Sequence, residues 1–144
     1  MKSYLSLITF SHTVFALPFA IIGFTLGITQ PGAQFLWTDL LLVIACMVFA
    51  RSAAMAFNRY IDADIDKKNA RTAQREIPKG VITPKNALYF VIANAIAFML
   101  CALMLNTLCF YLSPVALLVI LGYSYTKRFT WLCHFILGIG LALA

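Results

Sequence analysis

Charge is what this chain has least of. Only 11% of its 144 residues are charged, where a soluble domain typically carries about a quarter. With 62% hydrophobic residues and a mean hydropathy of +0.90, that deficit excludes an ordinary water-soluble globule. Acidic residues are scarcer still: there are 5, and none follows Glu76. The 4 cysteines, Cys46, Cys101, Cys109 and Cys133, include no CxxC pair. They read as buried thiols rather than as metal or redox groups. The 2 histidines, His12 and His134, stand apart near the ends of apolar runs and read as packing or hydrogen-bonding residues rather than metal ligands. No small-residue cleavage site follows the first apolar run, and more such runs come after it, which argues against a signal peptide. Repeats and low-complexity tracts are also absent.

What fills the chain instead is apolar sequence in runs near the ~20 residues that a bilayer demands. They cover residues 10–28, 36–57, 88–105 and 108–125, and a further run begins near Leu132 and reaches Ala144. The expected fold is all-α: one polytopic transmembrane helix bundle over residues 1–144, with four full spans and the start of a fifth. The last run has no polar cap or basic anchor, so the chain is expected to be the N-terminal part of a longer protein. Gln30-Pro31-Gly32 and Asn106-Thr107 read as short turns between spans. The one sizeable connection runs from Asp62 to Thr83. Pro78 and Gly80 break structure within it, Thr83 reads as an N-cap, and Pro84 takes the first helical position of the next span. Ser113-Pro114 either kinks the fourth span or begins its regular part.

Basic residues are not scattered. Of the 11, Lys67, Lys68, Arg71, Arg75, Lys79 and Lys85 cluster between positions 67 and 85, while residues 29–35 and the turn at Asn106 carry none. Lys127 and Arg128 mark the next connection, and Lys2 falls on the same side. Positive charge in alternate connections places those connections in the cytoplasm. The net charge of +6 is thus a topology signal that can also attract anionic headgroups or diphosphates. Nucleic-acid binding is a poor reading, because the basic residues sit between spans.

Asn58, Asp62 and Asp66 lie at i, i+4 and i+8 where the second apolar run gives out, so a helix would stack them in a column on one face. Arg51, nearly two turns earlier, joins the same stripe. An arginine among apolar residues costs ~3 kcal/mol on insertion scales and so faces a cavity or a partner. Arg59 and Asp64 leave the helix on other sides and read as surface charges or as partners of the stripe. Arg71 and Arg75 repeat at i, i+4 and would share a face if their segment were helical. Two guanidinium groups at that spacing suit a diphosphate. Tyr123 and Lys127 form another i, i+4 pair at the end of the fourth span, one supplying a hydroxyl and the other a point charge; alone, they equally suit an interfacial anchor. Carboxylates hold a hard cation and arginines hold phosphate oxygens. The stripe and the basic segment together point to Mg2+ and a phosphorylated, greasy ligand.

These residues resemble a known family. Asn58-Arg-Tyr-Ile-Asp62-Ala-Asp-Ile-Asp66 is similar to the N-D-x-x-D-x-x-x-D motif of the UbiA-type intramembrane prenyltransferases. Arg71-Thr-Ala-Gln-Arg75-Glu-Ile-Pro78-Lys-Gly80 resembles their R-T-x-x-R-x-[IL]-P-x-G loop. Tyr123-Ser-Tyr-Thr-Lys127-Arg128-Phe-Thr130 resembles their Y-x-x-x-K-R-x-T element. The motifs come in the family's order, and the nearest resemblance is to 4-hydroxybenzoate polyprenyltransferase-like enzymes of quinone biosynthesis. It implies the N-terminal half of a nine-span bundle with a cavity open to the cytoplasm, in the plasma membrane of a bacterium. It also implies that Asn58, Asp62 and Asp66 bind Mg2+ and act in catalysis. Arg71, Arg75, Lys127, Tyr123 and Arg51 would hold a polyprenyl diphosphate. The prenyl group would pass to an aromatic acid, 4-hydroxybenzoate or a hydroxynaphthoate, in ubiquinone or menaquinone formation.

The chain departs from the pattern twice. Arg59 stands where many members have an aspartate, and the family's second aspartate-rich motif has no counterpart after Glu76. Two other classes compete. A polytopic transporter would line an ion or substrate path with Arg51, Asn58 and Asp62, but would more often place carboxylates near the bilayer midplane. A CDP-alcohol phosphotransferase would need D-G-x-x-A-R, which is missing, as is the D-D-x-x-D of soluble prenyl synthases.

Overall fold

The computed structural model describes residues 2–7, 14–126 and 135. Among them all regular structure is helical: α1 (Lys2–Leu7), a single 3-10 turn (Val14–Ala16), α2 (Leu17–Ile28), α3 (Trp37–Lys68), α4 (Pro84–Leu105) and α5 (Thr107–Thr126). Three of these, α3, α4 and α5, are long and apolar enough to cross a membrane, which makes the chain an integral membrane protein of the expected class. The first apolar run is helical for 12 residues, as α2. Its beginning, before Val14, lies outside the described residues, as do His12, Lys127, Arg128, Cys133, His134 and the last run apart from Phe135.

The connections follow their sequence signals. Gly32 has φ +83, and the Ala33 N–H donates to the Gln30 carbonyl at 3.1 Å. With proline then glycine at the two central positions this is type II turn chemistry. Phe35 lies edge-on to both Phe24 and Trp37, with ring centroids 5.7 and 4.9 Å apart, tying α2 to the start of α3. Thr83 caps α4: its hydroxyl accepts from the Asn86 N–H at 3.2 Å, and Pro84 follows it. Asn106 ends α4 in an extended conformation, and its side chain accepts from the Leu108 N–H at 2.8 Å at the start of α5. Pro114 lies inside α5, so the fourth span is regular before it as well as after.

The expected loop from Asp62 to Thr83 is shorter than its sequence signals suggest. α3 continues through both carboxylates to Lys68, and the chain first leaves it at Asn69, which is extended. Asp39 in the first turn of α3 and Lys67 and Lys68 in its last complement the helix dipole. The cysteine expectation also needs adjusting. Cys46 and Cys101 are half-buried, whereas Cys109 is exposed on α5, where it can face lipid instead of a core.

α3 packs chiefly against α4, which packs on α5; α3 also meets α5 and α2. The best-buried apolar cluster joins Leu7 of α1, Ala53 and Ala56 of α3, Ile77 and Ile82 of the α3–α4 connection, and Ala87 and Val91 of α4. Alanine at three of these places lets helix backbones approach closely. This cluster lies beneath the charged end of α3 and anchors both the connection and α1 there.

Candidate active site

α3 has 32 residues and is therefore ~48 Å long, while the bilayer core takes ~20 residues, or ~30 Å. A crossing that starts at Trp37 is complete near Ala56. Asn58, Asp62 and Asp66 thus stand on the part of the helix that emerges from the apolar layer. Asp62 and Asp66 are nonetheless buried, at 9% and 5% exposure, and Asn58 is half-buried. Asp64 is exposed, as its position on another side of the helix requires.

The α3–α4 connection covers this face. It is a chain of turns and not a helix, so Arg71 and Arg75 do not share a helical face. The Asn69 side chain accepts from the Arg71 N–H at 3.0 Å, and the Asn69 carbonyl accepts from the N–H groups of Thr72 and Ala73 at 3.0 and 2.8 Å. The Thr72 hydroxyl, buried, donates to the Asp66 carbonyl at 3.2 Å. Gly80 reverses the chain at φ +73, and Ile77 and Ile82 sink into the core on either side of it. These constraints send the two arginines different ways. Arg71 is exposed. Arg75 turns inward, and its Nη1 donates to both oxygens of Asp66 at 2.8 and 2.7 Å.

Arg59 is nearer the carboxylates than its separation from Asn58 suggests. At ~100° per residue the i, i+4, i+8 column slants, so Asp62 lies ~40° and Asp66 ~80° round from Asn58, and Arg59 at ~100° is almost in line with Asp66. Arg59 is half-buried and lies within electrostatic reach of Arg75, Glu76, Asp66 and Asp62. Its partial burial fits a partner of the stripe better than a surface charge. Glu76 and Thr72 carried no signal beyond their places in the loop motif, yet both serve this end of the molecule. Glu76 accepts a hydrogen bond from the hydroxyl of Ser6 on α1.

Arg51 lies deeper on α3, half-buried, with its Nε buried and without a hydrogen-bond partner among the described residues. Tyr123 is half-buried near the end of α5, two residues beyond Leu121, which packs against the core cluster. That brings it to the charged end of the bundle. Lys127 lies outside the described residues.

Two carboxylates and an amide on successive turns form a set of hard oxygen donors, the kind that suits Mg2+ or another divalent cation. Among the described residues no three His, Cys, Asp or Glu side chains gather at one point. A cation here would therefore be held by one or two carboxylates and complete its coordination with ligand oxygens or water, as Mg2+ commonly does on phosphates.

The chain is similar to known proteins. A 4-hydroxybenzoate octaprenyltransferase of Aliivibrio fischeri (strain MJ11) is 34% identical over 108 residues, which are 75% of this chain and 38% of that protein. One from Vesicomyosocius okutanii subsp. Calyptogena okutanii (strain HA) is 38% identical over 106 residues, 73% of this chain and 38% of that protein. The chain thus spans well under half the length of these curated relatives. The solved apo structure of a UbiA homologue from Aeropyrum pernix K1 superimposes with a TM-score of 0.81 at 39% identity, over 91% of this chain and 46% of that one. The model of the UbiA prenyltransferase family matches residues 16–144, a stretch that holds the carboxylate stripe, the arginine turns and Tyr123 together. On that match the chain belongs to the UbiA prenyltransferase family.

Proposed function

We propose that this chain forms the diphosphate-binding side of an aromatic prenyltransferase of quinone biosynthesis. The observation that carries this reading is the meeting of Asp62 and Asp66, both buried on one face of α3, with Arg75 from the covering turns. Asn58, Asp62 and Asp66 are the proposed ligands of Mg2+, which when bound neutralises charge on the departing diphosphate. Arg75 exchanges Asp66 for a phosphate oxygen when the ligand enters. Arg71 at the exposed rim, Arg51 below, and Tyr123 and Lys127 at the end of α5 complete the proposed set of contacts. A planar fork suits phosphate oxygens at Arg71 and Arg75.

In the reaction the bond between the prenyl C1 and its diphosphate oxygen breaks, and the electron pair leaves with the diphosphate. The ring carbon of the hydroxylated aromatic acid attacks the allylic cation, and the ring proton departs. The protein supplies orientation and fixed positive charge. The acceptor 4-hydroxybenzoate is proposed by similarity to the relatives, and a hydroxynaphthoate is the alternative that the motif resemblance leaves open. The connection between α3 and α4 is proposed to be cytoplasmic because of its basic residues. A transport path is less favoured, since the carboxylates lie beyond the membrane crossing of α3.

The test is equilibrium binding of geranylgeranyl diphosphate to the detergent-solubilised chain, with Mg2+ and with EDTA. Tight binding is expected only with Mg2+, and Asp62→Ala should weaken it at least about tenfold. Binding that is indifferent to both EDTA and Asp62→Ala would contradict the assignment.

A further inference from the structure

α1 carries none of the motif residues, yet the structure ties it to the turns over the carboxylates. Leu7 is fully buried in the cluster that contains Ile77 and Ile82, and the Tyr4 ring stacks on Phe90 of α4 with centroids 5.3 Å apart. From this fixed position the Ser6 hydroxyl donates to Glu76 Oε1, across 70 residues of sequence. The Glu76 carbonyl accepts from the Ile82 N–H at 3.1 Å, which closes the reversal around Gly80. The residue before Glu76, Arg75, is bound to Asp66 of α3. Two adjacent side chains thus tie the turns to two different helices, Arg75 to α3 and Glu76 to α1.

We propose that α1 is a strap, latched through Ser6 to Glu76, that keeps the α3–α4 turns closed over Asp62 and Asp66 and so retains a diphosphate bound beneath them. Ser6 and Glu76 are positioning residues; neither touches the ligand.

The physical argument is a count of what holds the cover down. In the proposed function Arg75 exchanges Asp66 for a phosphate oxygen, which gives up its direct tie to α3 at the moment when the ligand needs cover. The Thr72 hydroxyl still bonds to the Asp66 carbonyl, at the near end of the connection. Beyond Arg75 the ties are those to α1 and to the apolar cluster. Ile77 and Ile82 hold by packing, which is non-directional. The hydrogen bond from Ser6 is directional, and it fixes where Glu76, and Arg75 beside it, stands. A hydroxyl donating to a carboxylate is the stronger, charge-assisted kind of bond. Leu7 and Tyr4 order α1 independently of it, so little freedom is lost in making it. Few contacts of this sort set how often a local segment opens.

This inference rests on the proposed diphosphate binding, so one arm of its test needs no ligand. Wild type, Ser6→Ala, Ser6→Thr, Glu76→Ala and the variant that combines the two alanines are compared as the detergent-solubilised chain. Without ligand, hydrogen exchange is followed at Arg75, Lys79, Gly80 and Ile82, whose backbone N–H groups bond within the connection. With Mg2+, the dissociation rate of geranylgeranyl diphosphate is measured. Ser6→Ala should raise both rates about fivefold. Ser6→Thr should stay near wild type because its hydroxyl remains, and the combined variant should differ little from Glu76→Ala alone. Exchange in α4 beyond Val91 should not change. Unchanged exchange in Ser6→Ala, an increase spread equally through α4, or no rescue by threonine would overturn the latch. Faster exchange in the turns with an unchanged dissociation rate would overturn the retention of ligand. If the wild type bound no diphosphate, the proposed function would fail and retention with it. The exchange arm would still decide whether α1 holds the turns.

Discussion

Arg75 places one guanidinium nitrogen, Nη1, on both oxygens of Asp66, at 2.8 and 2.7 Å. The carboxylate side chain is only 8% exposed and the arginine 32%. The pair joins the end of the spanning helix to the turns that cover it. It also keeps a buried negative charge balanced before any ligand arrives.

Removing the arginine should therefore cost stability as well as binding. Losing one partner of a fully buried pair costs about 3–5 kcal/mol, and the exposure of Arg75 reduces this to about 1–2 kcal/mol. Arg75→Ala should lower the unfolding temperature of the detergent-solubilised chain, while Arg71→Ala, on an exposed side chain, should leave it unchanged. Both should weaken diphosphate binding. Equal unfolding temperatures for the two variants would contradict the described partnership.

The two sides of α3 should separate in a binding assay. Asp66→Ala should reduce Mg2+-dependent geranylgeranyl diphosphate binding about tenfold or more, whereas Asp64→Ala should change it by less than about twofold, because Asp64 is exposed on another side. Comparable losses at the two positions would undo the argument from the helical face.

The connection between α3 and α4 should face the cytoplasm. A cysteine placed at the exposed Gln74, with the native cysteines replaced by alanine, should resist an impermeant maleimide applied to intact cells. It should react once the membrane is opened. Labelling from outside would reverse the topology.

Glycine is required at the turns and not in the helices. Gly32 and Gly80 have φ of +83 and +73, with open space where a Cβ would stand. Alanine there meets no neighbour and strains only the backbone, at about 1 kcal/mol each. Gly23 lies in α2 with the same open space, so Gly23→Ala should be neutral or slightly stabilising. Thermal unfolding of the three variants compares them directly.

Much of this was legible in the sequence, and the rest was not for definable reasons. Run length gave α3, α4 and α5 as spans because the bilayer fixes helix length. Thr83-Pro84 and Pro31-Gly32 gave their boundaries because cap and turn chemistry is local. The carboxylate column was readable from helical period alone. α3 runs past the expected start of the connection at Asp62, since the polar residues from there to Lys68 resemble a loop in composition although they continue the helix. For the arginine pair the spacing left the question open: i, i+4 means a shared face only in a helix, and the fold at Asn69, Thr72 and Gly80 makes turns there. Arg59 stands off the stripe when its angle is taken from Asn58, but it falls nearly in line with the slanted end of the column at Asp66. The contact between Ser6 and Glu76 spans 70 residues, and no local pattern encodes it.

Binding and turnover should also come apart. The chain has no acidic residue after Glu76, so it can supply carboxylates to one cation site but not to a second one built from later residues. Residues 1–144 assayed alone with Mg2+, geranylgeranyl diphosphate and 4-hydroxybenzoate should bind the diphosphate and release no prenylated product. Clear product formation would show that one carboxylate stripe suffices.

The central claim is that the α3 stripe and the covering arginine hold a metal diphosphate between them. The most direct measurement is a crystal structure of the chain with Mn2+ and a non-hydrolysable geranylgeranyl thiodiphosphate, read by anomalous scattering. The account predicts an anomalous peak within coordination distance of Asp62 or Asp66, with the Arg75 guanidinium moved from Asp66 onto a phosphate oxygen. A peak remote from both carboxylates, or a bound diphosphate with Arg75 still on Asp66, would contradict it.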